Sequence, residues 1–280
     1  MKQHPIFRNF WYAADALLVV SILFLLYAAA WEFSTRSYLT GFSDAIVPVT
    51  APPEEKVAAI LSWMEHGPAR RTTAATGLFP LRDPQETLNY NALLQVCGSA
   101  TNAFVNLANS SGIPARRLLL LNEQRRANHV VAEVYLNGRW IVVDPVFRII
   151  LRGADQQPLT REQLTDPEVL TQATRGLVRY DASYTYERTA HLRMARIPII
   201  GRALRSTLDY ALPGWSDSVY WTLLVERESF GALAAAVCLV LLSFFIRIVL
   251  RWFGESRLGI RHVRMREHLK RVAQSLGGPG

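Results

Sequence analysis

The chain has 280 residues, half of them hydrophobic, with 31 Lys and Arg against 23 Asp and Glu and a formal net charge of +8. At that length one soluble domain plus apolar segments accounts for the chain better than two globules. Between Glu32 and Ser229 there are 21 basic and 20 acidic residues, so the excess charge lies in the two ends and at Arg247, and nucleic-acid binding is excluded as its cause.

Residues 1–12 carry Lys2 and Arg8 and no acid, and from Ala16 to Trp31 only Ser21 interrupts an apolar run. Residues 13–33 therefore predict a transmembrane helix. A cleavable signal peptide is the competing reading, because a basic start, an apolar core and Ala28-Ala29-Ala30 also fit that pattern. Residues 34–53, with Gly41 and Pro48, Pro52 and Pro53, predict a linker. The domain expected over 54–180 starts with a helix at about 53–66, opened by Pro53, Glu54 and Glu55 and patterned by Val57, Ile60, Leu61 and Met64. After Gly67-Pro68 the chain to Asn91 is expected to be mostly irregular.

Downstream, Ala100, Ala103, Phe104, Leu107 and Ala108 predict a helix that starts at or near Cys97 and stops at Gly112. Strands are expected at 115–121, 129–136 and 139–143, the last two joined by Asn137-Gly138, a strong hairpin signal. A polar helical segment is expected within 155–177. Residues 188–212 are basic and amphipathic, and read either as helices on the membrane surface within an expected membrane-proximal stretch, 181–228, or as a helical hairpin packed on the domain. The uncharged run Phe230–Ile246 predicts a second span over 229–250, with Arg247 snorkelling to the interface. The tail, 251–280, is rich in arginine. With Lys and Arg in excess over Asp and Glu in both terminal segments, the charge rule puts both termini in the cytoplasm. The domain is then extracytoplasmic, in the periplasm of a cell whose inner (cytoplasmic) membrane holds the spans.

Cys238 falls in the second span, which leaves Cys97 without a partner in the soluble domain. Such a thiol outside the cytoplasm is either inert and buried or reactive. A two-residue loop at Asn137-Gly138 makes opposed residue numbers sum to 275, so His129 and Asp144 share one sheet face as diagonal neighbours about 7 Å apart. A carboxylate there can orient an imidazole, whose other nitrogen takes the proton of Cys97, and a helix N-terminus favours the thiolate. The Cys97 backbone N–H, with Gln95 as a second donor, is the expected oxyanion site. Two distant cysteines, His129 and Glu133 make no zinc site, and the sequence has no phosphate-binding Gly-rich loop; no cofactor or metal is expected.

CGSATNAFVNLANSSGIPARRLLL followed by HVVAEVYLNGRWIVVDPVF resembles the transglutaminase-like superfamily over about residues 54–150, most specifically over 97–145. The matching residues are Cys97 as nucleophile, His129 as base and Asp144 as orienting acid, within the frame Gly112–Arg116, Glu133–Tyr135, Gly138–Trp140 and Pro145. Where family members often carry an aromatic just after the His, this chain has Val130 and Val131. The resemblance implies an α+β, papain-like core with an antiparallel sheet and a catalytic helix, here flanked by two membrane helices. It also implies a hydrolase, amidase or acyl transferase acting on amide or carboxamide groups through a thioester, with an envelope protein, peptide or glycopeptide as substrate. The alternative is a non-catalytic scaffold that binds peptide or glycan with partners in a membrane export or polysaccharide assembly complex.

Overall fold

A computed structural model of the chain describes residues 5–67, 83–89, 94–192 and 201–259. The stretch expected to be irregular after Gly67 lies largely outside these residues, as does the tail from 260. The chain divides into two compact units, Met1–Ala28 with Leu233–Gly280, and Ala29–Ala232.

The first unit holds the N-terminal part of helix α1 (Pro5–Ile46) and most of helix α8 (Glu228–Ser256). Both helices are long and apolar enough to cross a membrane, and only 17% and 11% of their most apolar windows are buried within the protein. A core helix of a soluble protein would be mostly covered. Here Leu23, Leu26, Leu241 and Phe245 are more than half exposed. Arg247 pairs with Asp15 at 2.8 Å; a charge in an apolar setting is costly unless partnered. The Ser21 and Ser243 hydroxyls meet at 3.4 Å. At Gly254 a Cβ would stand 2.7 Å from the Phe7 ring, so the contact requires glycine.

Residues 34–46 do not form a linker: α1 continues to Ile46. Thr35, Leu39 and Ser43 recur at helical spacing and are buried, with Leu39 in the core of the second unit, so packing keeps the helix going until Pro48 ends it. Helix α2 (Pro53–His66) has the expected bounds and buries the expected four apolar residues. Helices α3 (Pro84–Asn89) and α4 (Cys97–Ser110) follow.

The sheet comprises β1 (Ala115–Leu121), β2 (Ala127–Leu136), β3 (Arg139–Asp144), β4 (Ile149–Ile150) and β5 (Thr189–Ala190) in the antiparallel order β4-β3-β2-β1-β5. Five β2–β3 pairs run from Ala132 opposite Val143 to Leu136 opposite Arg139, each summing to 275 as the hairpin signal requires. Asn137 and Gly138 both take positive φ, the two-residue turn that suits the strand twist. One sheet face, with Ala115, Ala132, Val134, Ile141 and Val143, packs on α2 and α4; the other, with Leu118, Leu120, Val131 and Val142, packs on Leu151, Leu159, Leu164 and Tyr186.

The segment 155–177 is less helical than expected. It holds one 3-10 turn, Gln163–Thr165, and the short helix α5 (Pro167–Ala173), because Pro158 belongs to a strand-like bridge with Arg152 and Pro167 can only start a helix. Within 188–212, β5 is an edge strand on β1 rather than part of a helix, and α6 (Gly201–Ala211) is helical. Helix α7 (Val219–Glu226) completes the second unit, burying Thr222, Leu223 and Glu226.

Helix α4 ends in a Schellman motif: Gly112 N–H donates to Asn109 O at 3.2 Å and Ile113 N–H to Ala108 O at 2.9 Å. Gly112 has φ +78°, and a Cβ added there would meet nothing within 4 Å. Gly112→Ala is therefore expected to cost about 1 kcal/mol through backbone conformation alone, a fall of about 2–4 °C in thermal midpoint measured by circular dichroism.

Candidate active site

Three elements converge on the site. The turn at residues 94–96 delivers Cys97 as the first residue of α4, with Val96 extended as its N-cap and no side chain capping the helix. No side chain at the N-cap competes for the first N–H groups of α4, and an anion at Cys97 is favoured. Strand β2 carries His129 at its start, and β3 ends with Asp144. Asp144 is fully buried and its Oδ2 lies 2.7 Å from His129 Nε2. The other carboxylate oxygen accepts from the backbone N–H groups of Val146 (3.1 Å) and Phe147 (3.4 Å), which fixes its plane. With Nε2 on Asp144, Nδ1 is the ring nitrogen left to act on the neighbouring Cys97 thiol.

Asp144 and His129 are thus hydrogen-bonded, and Cys97 stands beside the imidazole, close enough for each to act on the other's proton. The electrostatics of this row follow. The hydrogen bond from His129 is the main cause that holds the Cys97 thiol below its ordinary value; burial opposes it, and the backbone N–H groups of Val130 and Gly98 assist. For His129 burial is the largest influence and acts downward, but the bonds to Asp144 and Cys97 outweigh it and lift the imidazole to about 9. Both shifts act in the direction of a thiolate facing an imidazolium. Such a pair can attack an acyl carbon and return a proton to the leaving group.

Thr101, one helical turn after Cys97, donates from Oγ1 to the Val130 carbonyl at 3.0 Å, so both the thiol and the helix behind it grip the strand beside His129. The periodicity marks Thr101 only as a position on α4 and gives no sign of this clamp. Three aromatic rings surround His129, all from outside its strand: Tyr184 stacked at 4.2 Å and 7°, Phe147 edge-on at 6.2 Å and Tyr180 edge-on at 6.4 Å. Gln95 stands in the turn before α4 with its side chain exposed, and among the described residues it makes no hydrogen bond to the row.

A second buried cluster lies farther along the face that holds His129 and Asp144. Glu133 Oε2 accepts from Arg116 Nε at 2.8 Å and meets His191 Nε2 at 2.6 Å, while Arg116 also covers the Trp140 ring at 3.9 Å. Arg116, Glu133 and Trp140 are all residues of the frame that carries the sequence resemblance. They tie β1, β2 and β3 together and do not touch the thiol. A cavity of about 820 Å³ lies at the opposite end of α4, lined by Asn109, Ser110, Trp140 and Tyr220 among others, and none of the row faces it.

Residues 41–145 match the family model of the transglutaminase-like superfamily. The match takes in Cys97, His129 and Asp144, and it begins within α1, earlier than the 54–150 span of the sequence resemblance. No curated protein and no solved structure gives a match.

Proposed function

Because the chain carries a transglutaminase-like domain, we propose that it is a membrane-anchored cysteine enzyme that opens amide or carboxamide groups through a thioester. The observation that carries this reading is the His129–Asp144 hydrogen bond at 2.7 Å beside the Cys97 thiol at the start of α4, with the thiol and the imidazole shifting each other's proton affinity.

In the proposed reaction the Cys97 thiolate attacks the carbonyl carbon, and the developing oxyanion takes the Cys97 backbone N–H at the helix start. Gln95, close to that end of α4, is the second donor we assign. The C–N bond breaks as imidazolium His129 gives its Nδ1 proton to the departing nitrogen, which leaves an acyl thioester and a neutral imidazole. Water or an amine then loses a proton to His129 as it attacks the thioester, and the C–S bond cleaves to restore the thiolate and imidazolium. Asp144 holds the ring in line throughout. Hydrolysis and acyl transfer differ only in the attacking group.

We assign the chain two spans in the inner membrane, with both termini cytoplasmic and the enzyme domain in the periplasm. The support is the apolar exposure of α1 and α8 and the excess of Lys and Arg over Asp and Glu in the two terminal segments. Substrates are then proteins, peptides or glycopeptides of the envelope.

The test is alkylation of the full-length protein in detergent, with Cys238→Ser removing the other thiol. Iodoacetamide is expected to label Cys97 well below the pH at which a free thiol reacts, and incubation with envelope extract is expected to produce Cys97-dependent mass changes in envelope proteins. Ordinary thiol reactivity in the folded protein would end the enzyme reading.

A further inference from the structure

The Tyr184 ring lies face to face on the ring of His129, with centroids 4.2 Å apart and planes 7° from parallel. Stacked and edge-on pairs are both ordinary aromatic geometries, and around this imidazole Phe147 and Tyr180 are edge-on while Tyr184 is stacked. A close parallel stack suits a ring that carries positive charge, because the π face is electron-rich.

This ring is not there by accident of a loose loop. Residues 180–187 form a strap across the start of β2, held at three points. Tyr186 is buried with Leu118, Leu120 and Val131. Asn128, the neighbour of His129, donates from Nδ2 to the Ser183 carbonyl at 3.1 Å and shares a 3.0 Å hydrogen bond with its hydroxyl. The edge of Tyr180 braces Tyr184 at 5.4 Å and rests on Phe147 at 5.1 Å. Phe147 is also one of the two backbone donors to Asp144, so strap, ring and acid form one assembly.

We propose that Tyr184 is a positioning residue of this site: the strap 180–187 holds its ring face against His129, fixing the imidazole plane between Cys97 and Asp144 and stabilising its positive charge. The inference rests on the thioester reading above. A turn of the His129 ring out of line with Cys97 and Asp144 would drive it into the stacked face. Loss of the π face would also weaken the imidazolium, and with it the thiolate that it stabilises.

The experiment measures the rate of Cys97 alkylation by iodoacetamide as a function of pH, in the full chain carrying Cys238→Ser. Tyr184→Phe keeps the face and is expected to reproduce the parent profile. Tyr184→Leu fills similar space without it. Its acid limb is expected to move up by about half to one pH unit, which lowers the rate below that limb about three- to tenfold. Asn128→Ala, which releases the strap without altering Tyr184, is expected to shift the limb in the same direction by less, and it decides the question should Tyr184→Leu fail to fold. Superimposable profiles for the parent, Tyr184→Leu and Asn128→Ala, even with lowered thermal midpoints, would reduce the stack to packing and overturn the proposal. An equal shift in Tyr184→Phe and Tyr184→Leu would also overturn it. If Cys97 is not activated in the parent protein, this inference and the thioester reading fall together; if it is activated and Tyr184→Leu leaves it so, only this inference falls.

Discussion

His129→Ala is expected to abolish turnover and to return the Cys97 thiol toward the titration range of a free cysteine, about 8.5. The hydrogen bond from His129 is the leading cause that holds this thiol down, and the backbone donors Val130 and Gly98 contribute less. Asp144→Asn is the milder counterpart. It keeps the volume and one acceptor, but removes the negative charge that supports the imidazolium, and a loss of about 10²–10⁴ in turnover is expected, the scale set by triad acids elsewhere. The two variants separate in alkylation, where Asp144→Asn retains part of the activation because Cys97 and His129 still face each other. Equal loss in both would mean that His129 activates the thiol only while the Asp144 carboxylate supports it. Activity that survives His129→Ala would remove the base from the mechanism.

The same row sets a pH window. On the acid side the rate rises as Cys97 ionises, below the range of a free thiol. On the basic side it falls near pH 9, where His129 loses the proton that the departing nitrogen needs. The stability sign follows from the raised imidazole. Relative to an unfolded value of 6.5, the His129 contribution is fully present below that pH and is lost as pH rises through about 9.

The central hairpin was legible because its local chemistry is unambiguous. Asn137-Gly138 forces a two-residue turn, the turn sets the register, and the register puts His129 and Asp144 on one face. Helix α4 was readable for the same kind of reason, since its apolar stripe and Gly112 mark both ends. What escaped depends on tertiary packing. Residues 34–46 look like a linker by composition, yet Leu39 is wholly buried and keeps the segment helical. Strands β4 and β5 have two residues each, too few to show a period. Tyr184 lies in an irregular segment far along the chain from His129, and no spacing rule connects them; only the anchoring of Tyr186 and Asn128 brings the rings together.

The largest stability effect is expected from a buried polar network behind α4. Glu32 in α1 accepts from Arg227 Nη1 at 3.0 Å and from the Ser229 hydroxyl at 2.7 Å, and Arg227 Nε donates to Asn106 on α4 at 2.9 Å. Asn102, one turn nearer Cys97, binds Glu226, which in turn pairs with Arg117 of β1. The Glu32 and Arg227 side chains are 7% and 4% exposed, so neither charge can be left alone cheaply. Glu32→Leu removes the carboxylate facing Arg227 and is expected to cost about 3–5 kcal/mol, while Arg227→Met leaves Glu32 with Ser229 and with Arg36 at 3.9 Å and is expected to cost less. The double variant removes both charges and is expected to lose much less than the sum, because a buried pair adds little beyond cancelling its own desolvation. Denaturant unfolding of the four proteins in one detergent measures this cycle. Additive losses would mean that the two residues act separately. Strong coupling would mean that the catalytic helix is held to the base of α1 through Asn106 and Arg227, and that α1 fixes the orientation of the thiol's helix as well as anchoring the chain.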